Sequence, residues 1–162
     1  IGHLPNLTDL DISNNNIKSL PEDFRYLKNL SNLKMKRNGI EKIEPAILGS
    51  LENLKSLNLS ENSIKELPET IGNLKNLTIL DANYNQIEKL PDSIGELKKL
   101  EGLYLESNKL KTIPESVGNL NNLETLSITS NPIDKLPANL CRKWKNKMIR
   151  IYADKRRDEL CD

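Results

Sequence analysis

The chain has 162 residues, the size of one domain, and it contains a single Phe and a single Trp, so its core must be built from Leu and Ile rather than from aromatic rings. A formal net charge of +1 gives no general case for nucleic acid or membrane as partner. No apolar run reaches the ~18 residues of a membrane span.

The chain opens in mid-unit. Ile1-Gly2-His3-Leu4-Pro5-Asn6-Leu7 matches Ile71-Gly72-Asn73-Leu74-Lys75-Asn76-Leu77, which predicts further repeats or a cap ahead of Ile1, since a first coil without one shows an open apolar edge. From there asparagines set a register: Asn15, Asn38, Asn62, Asn85, Asn108 and Asn131, spaced 23, 24, 23, 23 and 23 apart. Self-similarity at this period is the mark of a solenoid, in which each unit is too short to bury its own apolar side and must stack on its neighbours.

The unit is clearest at Leu77–Lys99, LTILDANYNQIEKLPDSIGELKK. Its L-x-[LI] pair alternates in and out, which predicts a short strand with the apolar residues inward. Along the chain these pairs are Leu10/Ile12, Leu33/Met35, Leu57/Leu59, Leu80/Ala82, Leu103/Leu105 and Leu126/Ile128. The Asn that follows has two donors and an acceptor, enough to satisfy backbone groups in its own and adjacent coils. Next, Ile64, Ile87, Leu110 and Ile133 plug the core from the turn, and the L-P step fixes φ at the start of the return path. The I-G-x-L segment predicts a helical turn on the opposite face, its Gly serving either close packing or a left-handed backbone.

Two units depart from the pattern. The second has one extra residue at Ile43-Glu44-Pro45, which predicts a local bulge on the return path and an undisturbed sheet. At the C-terminal end, adding 23 to Leu126, Ile128 and Asn131 gives Ile149, Ile151 and Asp154. A seventh strand is therefore expected at Met148–Tyr152, with Asp154 at the turn position. Ala138–Lys147 carries Leu140 and Trp144 at i, i+4 and predicts a short amphipathic helix. Residues 155–162 are polar and are expected to fray or to shield the last edge. The predicted boundaries are repeats over 1–137, comprising a partial repeat at 1–6 and six full ones, and a capping helix with a degenerate last strand over 138–162.

A search for catalytic chemistry finds little. His3 is the lone histidine, and no nucleophile–base arrangement can be built around it. Cys141 and Cys161 lack the spacing of metal ligands. The sequence predicts no enzyme, metal, cofactor or small-molecule substrate. For the two cysteines, free thiols in a cytoplasmic protein are favoured over one disulfide tying down the C-terminal end of a secreted one. The last 22 residues, 141–162, hold eight Lys/Arg against four Asp/Glu, which reads as a solvated helix face rather than a nucleic-acid or lipid site.

In all, these motifs resemble the leucine-rich repeat family over essentially the whole chain. The L-P-x-x-I-G-x-L subtype looks like that of Ras-pathway and cell-polarity scaffolds, of plant intracellular Ras-group proteins and of repeats beside Roc-type GTPase domains. The resemblance implies an α/β solenoid: a horseshoe with a parallel concave β-sheet of about seven strands and 3₁₀ or short helices on the convex side. It also implies protein–protein binding through the concave face, in a scaffold or regulatory role. Secreted members often end in a four-cysteine cap opening with Asn-Pro. Asn131-Pro132 fits that opening, but only two cysteines follow, at another spacing. The alternative is a secreted or surface recognition protein of the adhesin, effector or immune-receptor type.

The outward positions of the predicted sheet are free to vary and define two candidate patches. One is basic: Lys34, Lys36 and Arg37, flanked by Asp9 and Asp11. The other combines aromatic, apolar and acidic groups: Ile79, Asp81, Tyr84, Tyr104 and Glu106. Exposed tyrosines beside an exposed Ile are what interface centres favour, so the second patch is the first candidate for a protein partner.

Overall fold

A computed structural model describes residues 3–162. Seven three-residue strands form one parallel sheet in sequence order: β1 Asp9–Asp11, β2 Asn32–Lys34, β3 Ser56–Asn58, β4 Ile79–Asp81, β5 Gly102–Tyr104, β6 Thr125–Ser127 and β7 Arg150–Tyr152. The return paths carry 3₁₀ helices η1 Glu22–Tyr26, η2 Glu69–Asn73, η3 Asp92–Glu96 and η4 Glu115–Asn119. This is the expected solenoid, with seven parallel strands on one side and short 3₁₀ helices on the convex side.

The inward leucines stack in register, Leu33 on Leu57, Leu57 on Leu80 and Leu80 on Leu103, and all four are buried. The asparagines form a second ladder beneath the sheet. Asn62 donates through Nδ2 to the Leu59 carbonyl of its own coil and to Met35 of the preceding one, both at 2.9 Å, while its Oδ1 accepts from Ile40 N at 3.1 Å. Immediately before each asparagine the backbone turns left-handed: Asn14, Arg37, Glu61, Tyr84, Ser107 and Ser130 have φ of 54–57°. On the convex side no glycine among the described residues has positive φ. The repeated Gly therefore serves close packing. A Cβ on Gly95 would stand 2.6 Å from Ser116 Cβ and 2.8 Å from the Ser116 carbonyl oxygen of the next coil.

The extra residue of the second unit is absorbed by an α-turn, α1 Pro45–Leu48, in place of a 3₁₀ helix. An α-turn holds 3.6 residues where a 3₁₀ turn holds three, and the sheet on either side keeps its register.

Three expectations for the C-terminal end need correction. First, Leu126 pairs with Ile151, not Ile149. The preceding segment is an eight-residue helix, α2 Ala138–Lys145, instead of a five-residue 3₁₀ turn. At about 1.5 Å per residue against about 2 Å, it uses more chain to cover similar ground. A shift of two keeps the in–out alternation, so Ile149 and Ile151 are both buried. Second, Asp154 does not take the turn asparagine's place; its Oδ2 accepts from Ser130 N at 2.6 Å, where interior coils use a backbone carbonyl. Third, the thiols are not free. Cys141 and Cys161 form a disulfide that ties α2 to a final helix, α3 Arg157–Cys161. Of the two outcomes expected for the polar tail, fraying or shielding the last edge, fraying is not the one seen: Leu160 is buried, and its carbonyl accepts from Leu136 N at 2.8 Å.

Candidate functional site

The strand register aligns one outward row across the sheet: Lys34, Asn58, Asp81, Tyr104 and Ser127 are direct neighbours in sequence order. Neighbouring strands are ~4.8 Å apart, so this row reads as a ruler across the concave face. A depression of about 350 Å³ lies along it, lined by Lys34, Asn58, Ile79, Asp81, Asn83 and Tyr104. The two patches, separate in sequence, are therefore continuous in space.

In the aromatic and acidic patch, Ile79 and Tyr84 are 42% and 51% exposed. Tyr84 projects from its left-handed backbone, and its hydroxyl donates to Glu106 Oε1 at 3.0 Å. That hydrogen bond and the nearby Glu106 charge hold the phenol above its usual pKa. Tyr104 is half-buried because its ring folds over Gly102, where a Cβ would stand 2.8 Å from Tyr104 Cε2. Only Gly at 102 leaves room for the ring to lie there, a role that its place in the repeat did not signal. Asp81 Oδ1 accepts from Asn83 N at 3.1 Å and Oδ2 from Asn58 Nδ2 at 3.2 Å. Burial pushes the Asp81 carboxyl up, against the pull of the Asn83 N–H and of Lys36. Asn83 Oδ1 in turn accepts from Glu106 N at 2.7 Å, tying β4 to the segment that carries Glu106.

In the basic patch, Lys36 and Arg37 do not pair with Asp9 and Asp11. Both reach Glu61 on the other side, at 3.1 and 3.8 Å. Asp9 instead accepts from Thr8 Oγ1 at 2.7 Å and from Asn32 Nδ2, and Asp11 accepts from Ser13 N at 3.0 Å. These hydrogen bonds hold both carboxyls below their usual values. Lys34 forms no ion pair among the described residues, and neither Asp81 nor Glu106 has a cationic partner within ion-pair range.

Elsewhere the basic C-terminal end is spread out. Lys143 donates to the Leu120 carbonyl at 2.9 Å, Lys155 pairs with Asp134 at 2.7 Å, and Arg156 with Glu159 at 2.9 Å. Among the described residues no group of three or more His, Cys, Asp or Glu is placed to hold a metal ion, and no helix is long and apolar enough to cross a membrane.

Comparison with known proteins agrees with the geometry. A leucine-rich repeat region profile matches residues 35–142 and a leucine-rich repeat profile matches residues 1–40. No curated protein matches the chain. Among solved structures, the chain is similar to a plant peptide hormone receptor, RGFR1, in complex with RGF2: TM-score 0.76, 28% identity, 86% of this chain and 23% of that one. It is also similar to the Leptospira interrogans leucine-rich repeat protein LIC12759: TM-score 0.56, 26% identity, 93% of this chain and 50% of that one. It thus spans about a quarter and a half of these proteins. Domains of this type are generally protein-interaction modules and are typically non-catalytic. By its repeats, its fold and these matches, the chain belongs to the leucine-rich repeat family.

Proposed function

We propose that the concave face binds an extended segment of a protein partner, centred on Ile79, Asp81, Tyr84, Tyr104 and Glu106, with Lys34, Lys36 and Arg37 at one flank. The observation that carries this reading is the pairing of exposed Ile79 and Tyr84 on one coil. Neither side chain is part of the core, and Tyr84 occupies a backbone conformation that disfavours large side chains. The similarity to a receptor solved in complex with RGF2 supports a peptide as the ligand class.

The disulfide favours the secreted or surface alternative over a cytoplasmic scaffold, because such bonds persist in oxidising compartments and are rare in the cytosol. Residues 138–162 then act as a stapled C-terminal cap. The test uses binders selected from a random peptide display library on the wild-type chain. Tyr84→Ala combined with Tyr104→Ala should weaken them by about tenfold or more with an unchanged circular dichroism spectrum. Unchanged affinity would overturn the assignment of this patch.

A further inference from the structure

The charges along the central row are ordered, and their order describes the occupant. Lys34 and Asp81 lie in the same register row, two strands apart, with Asn58 between them. At ~4.8 Å per strand their backbones are ~10 Å apart. Lys36 and Arg37 are already paired with Glu61, and Asp11, beside Lys34 in the row, accepts from Ser13 N and stays beyond ion-pair range of Lys34. Asn58 is spent as well, its Nδ2 on Asp81 and its Oδ1 accepting from Ser60 N at 2.9 Å and Ser60 Oγ at 2.7 Å. What remains is an unpaired cation at one end of the depression and an unpaired carboxylate at the other. Beside the carboxylate lie the Tyr104 ring, folded onto Gly102, and the apolar wall of Ile79.

We infer that the bound segment presents one side chain of each sign, a carboxylate against Lys34 and an ammonium or guanidinium against Asp81 and the Tyr104 ring, three residues apart. This rests on the concave-face reading above and adds the chemistry of the partner. The spacing follows from the ruler. A polyproline II stretch rises about 3.1 Å per residue with three residues per turn, so positions i and i+3 share a side and lie ~9 Å apart. An aromatic face beside a carboxylate is suited to a cation through both charge and ring quadrupole. A polyanion is disfavoured, since Asp81 and Glu106, which have no cationic partner among the described residues, would face it.

The test titrates four labelled twelve-residue peptides on one Gly/Ser/Pro/Tyr background into the full chain by fluorescence anisotropy. They carry Glu then Lys three apart, Lys then Glu three apart, two Glu, or two Lys. One mixed-sign peptide should bind about tenfold tighter than either like-charge peptide. Asp81→Asn should erase its advantage over the two-Glu peptide, and Lys34→Gln its advantage over the two-Lys peptide. Both substitutions are at outward positions, and circular dichroism checks that the fold is kept. NMR shifts at Tyr84 and Tyr104 report where binding occurs. Equal binding of all four peptides with shifts at these tyrosines overturns the dipolar segment and leaves the concave-face reading standing. No binding, or shifts confined to the convex side, overturns both. Concentration-dependent shifts at the same tyrosines without peptide identify a second copy as occupant and also overturn the inference.

Discussion

Asn85 donates through Nδ2 to the Leu59 carbonyl, 26 positions earlier in the chain and 3.0 Å away. The same amide donates to Ala82 and Asn83 and accepts from Ile64 N at 3.0 Å. One buried side chain thus closes its own turn and bolts it to the coil before. Asn85→Leu keeps the size and strands several backbone groups away from water. Each such group costs ~1–3 kcal/mol, so urea unfolding should show a loss of at least about 3 kcal/mol. Asn15→Leu should cost much less, because Asn15 is exposed and, among the described residues, its amide bonds only Ile12 and Ser13 of its own coil. Equal losses at the two sites would refute the account of the ladder.

Gly95→Ala should destabilise by ~1–3 kcal/mol, the usual range for overpacking, because the new methyl meets Ser116 backbone and Cβ at 2.6–2.8 Å. Gly39→Ala has only ordinary contacts, the nearest at 3.7 Å, and should be neutral or slightly stabilising. Paired thermal melts of the two variants distinguish crowding from backbone strain. Similar losses in both would point away from crowding.

The Cys141–Cys161 bond spans 20 positions, and closing a loop of that size is worth ~3 kcal/mol. Cys141→Ser with Cys161→Ser should lower stability by about that amount and speed amide exchange in α3 first. Thiol titration of the unfolded, unreduced protein should find no free thiol. Two titratable thiols would return the chain to the cytoplasmic reading.

Asp81 should oppose stability at neutral pH. Burial raises its carboxyl above the ordinary value. A carboxyl with a higher pKa folded than unfolded favours the fold while protonated. That contribution is complete below the unfolded pKa of about 4 and is lost as pH rises through the folded one. Asp81→Asn should therefore equal or exceed the wild type at pH 7, by less than about 1 kcal/mol, since water screens the half-exposed group. The ranking should reverse or vanish at pH 3. A clearly less stable variant at pH 7 would show that the hydrogen bonds from Asn58 and Asn83 outweigh the burial.

The interior of the solenoid was legible because the repeat dictates it: inward leucines, a turn asparagine and an L-P step recur at fixed offsets, so strand pairing needs only arithmetic. The arithmetic stopped working where the period did. Once Ala138–Lys145 became an α-helix, offsets no longer transferred, and the Leu126 partner moved from Ile149 to Ile151. The bond between Cys141 and Cys161 depends on two helices meeting, which no periodicity encodes. On the concave face, the outward residues followed from alternation, but their pairing did not. Whether Lys36 turns to Asp11 or to Glu61 is decided by side-chain reach across the sheet, and the Tyr104 ring settles on Gly102 only because position 102 lacks a side chain.

The left-handed residue ahead of each turn asparagine also limits how this surface can diversify. Asn14, Arg37, Glu61, Tyr84, Ser107 and Ser130 are all unbranched at Cβ, as positive φ requires of a non-glycine residue. The strand row of Lys34, Asn58, Asp81 and Tyr104 is extended and can accept Val, Ile or Thr as readily as charge. Descendants of this chain that change ligand are therefore free to rewrite the strand row with the full set of side chains. At the Tyr84 row they must choose from a shorter vocabulary, in which a large contact is made by Tyr, Arg or Glu and almost never by a β-branched residue.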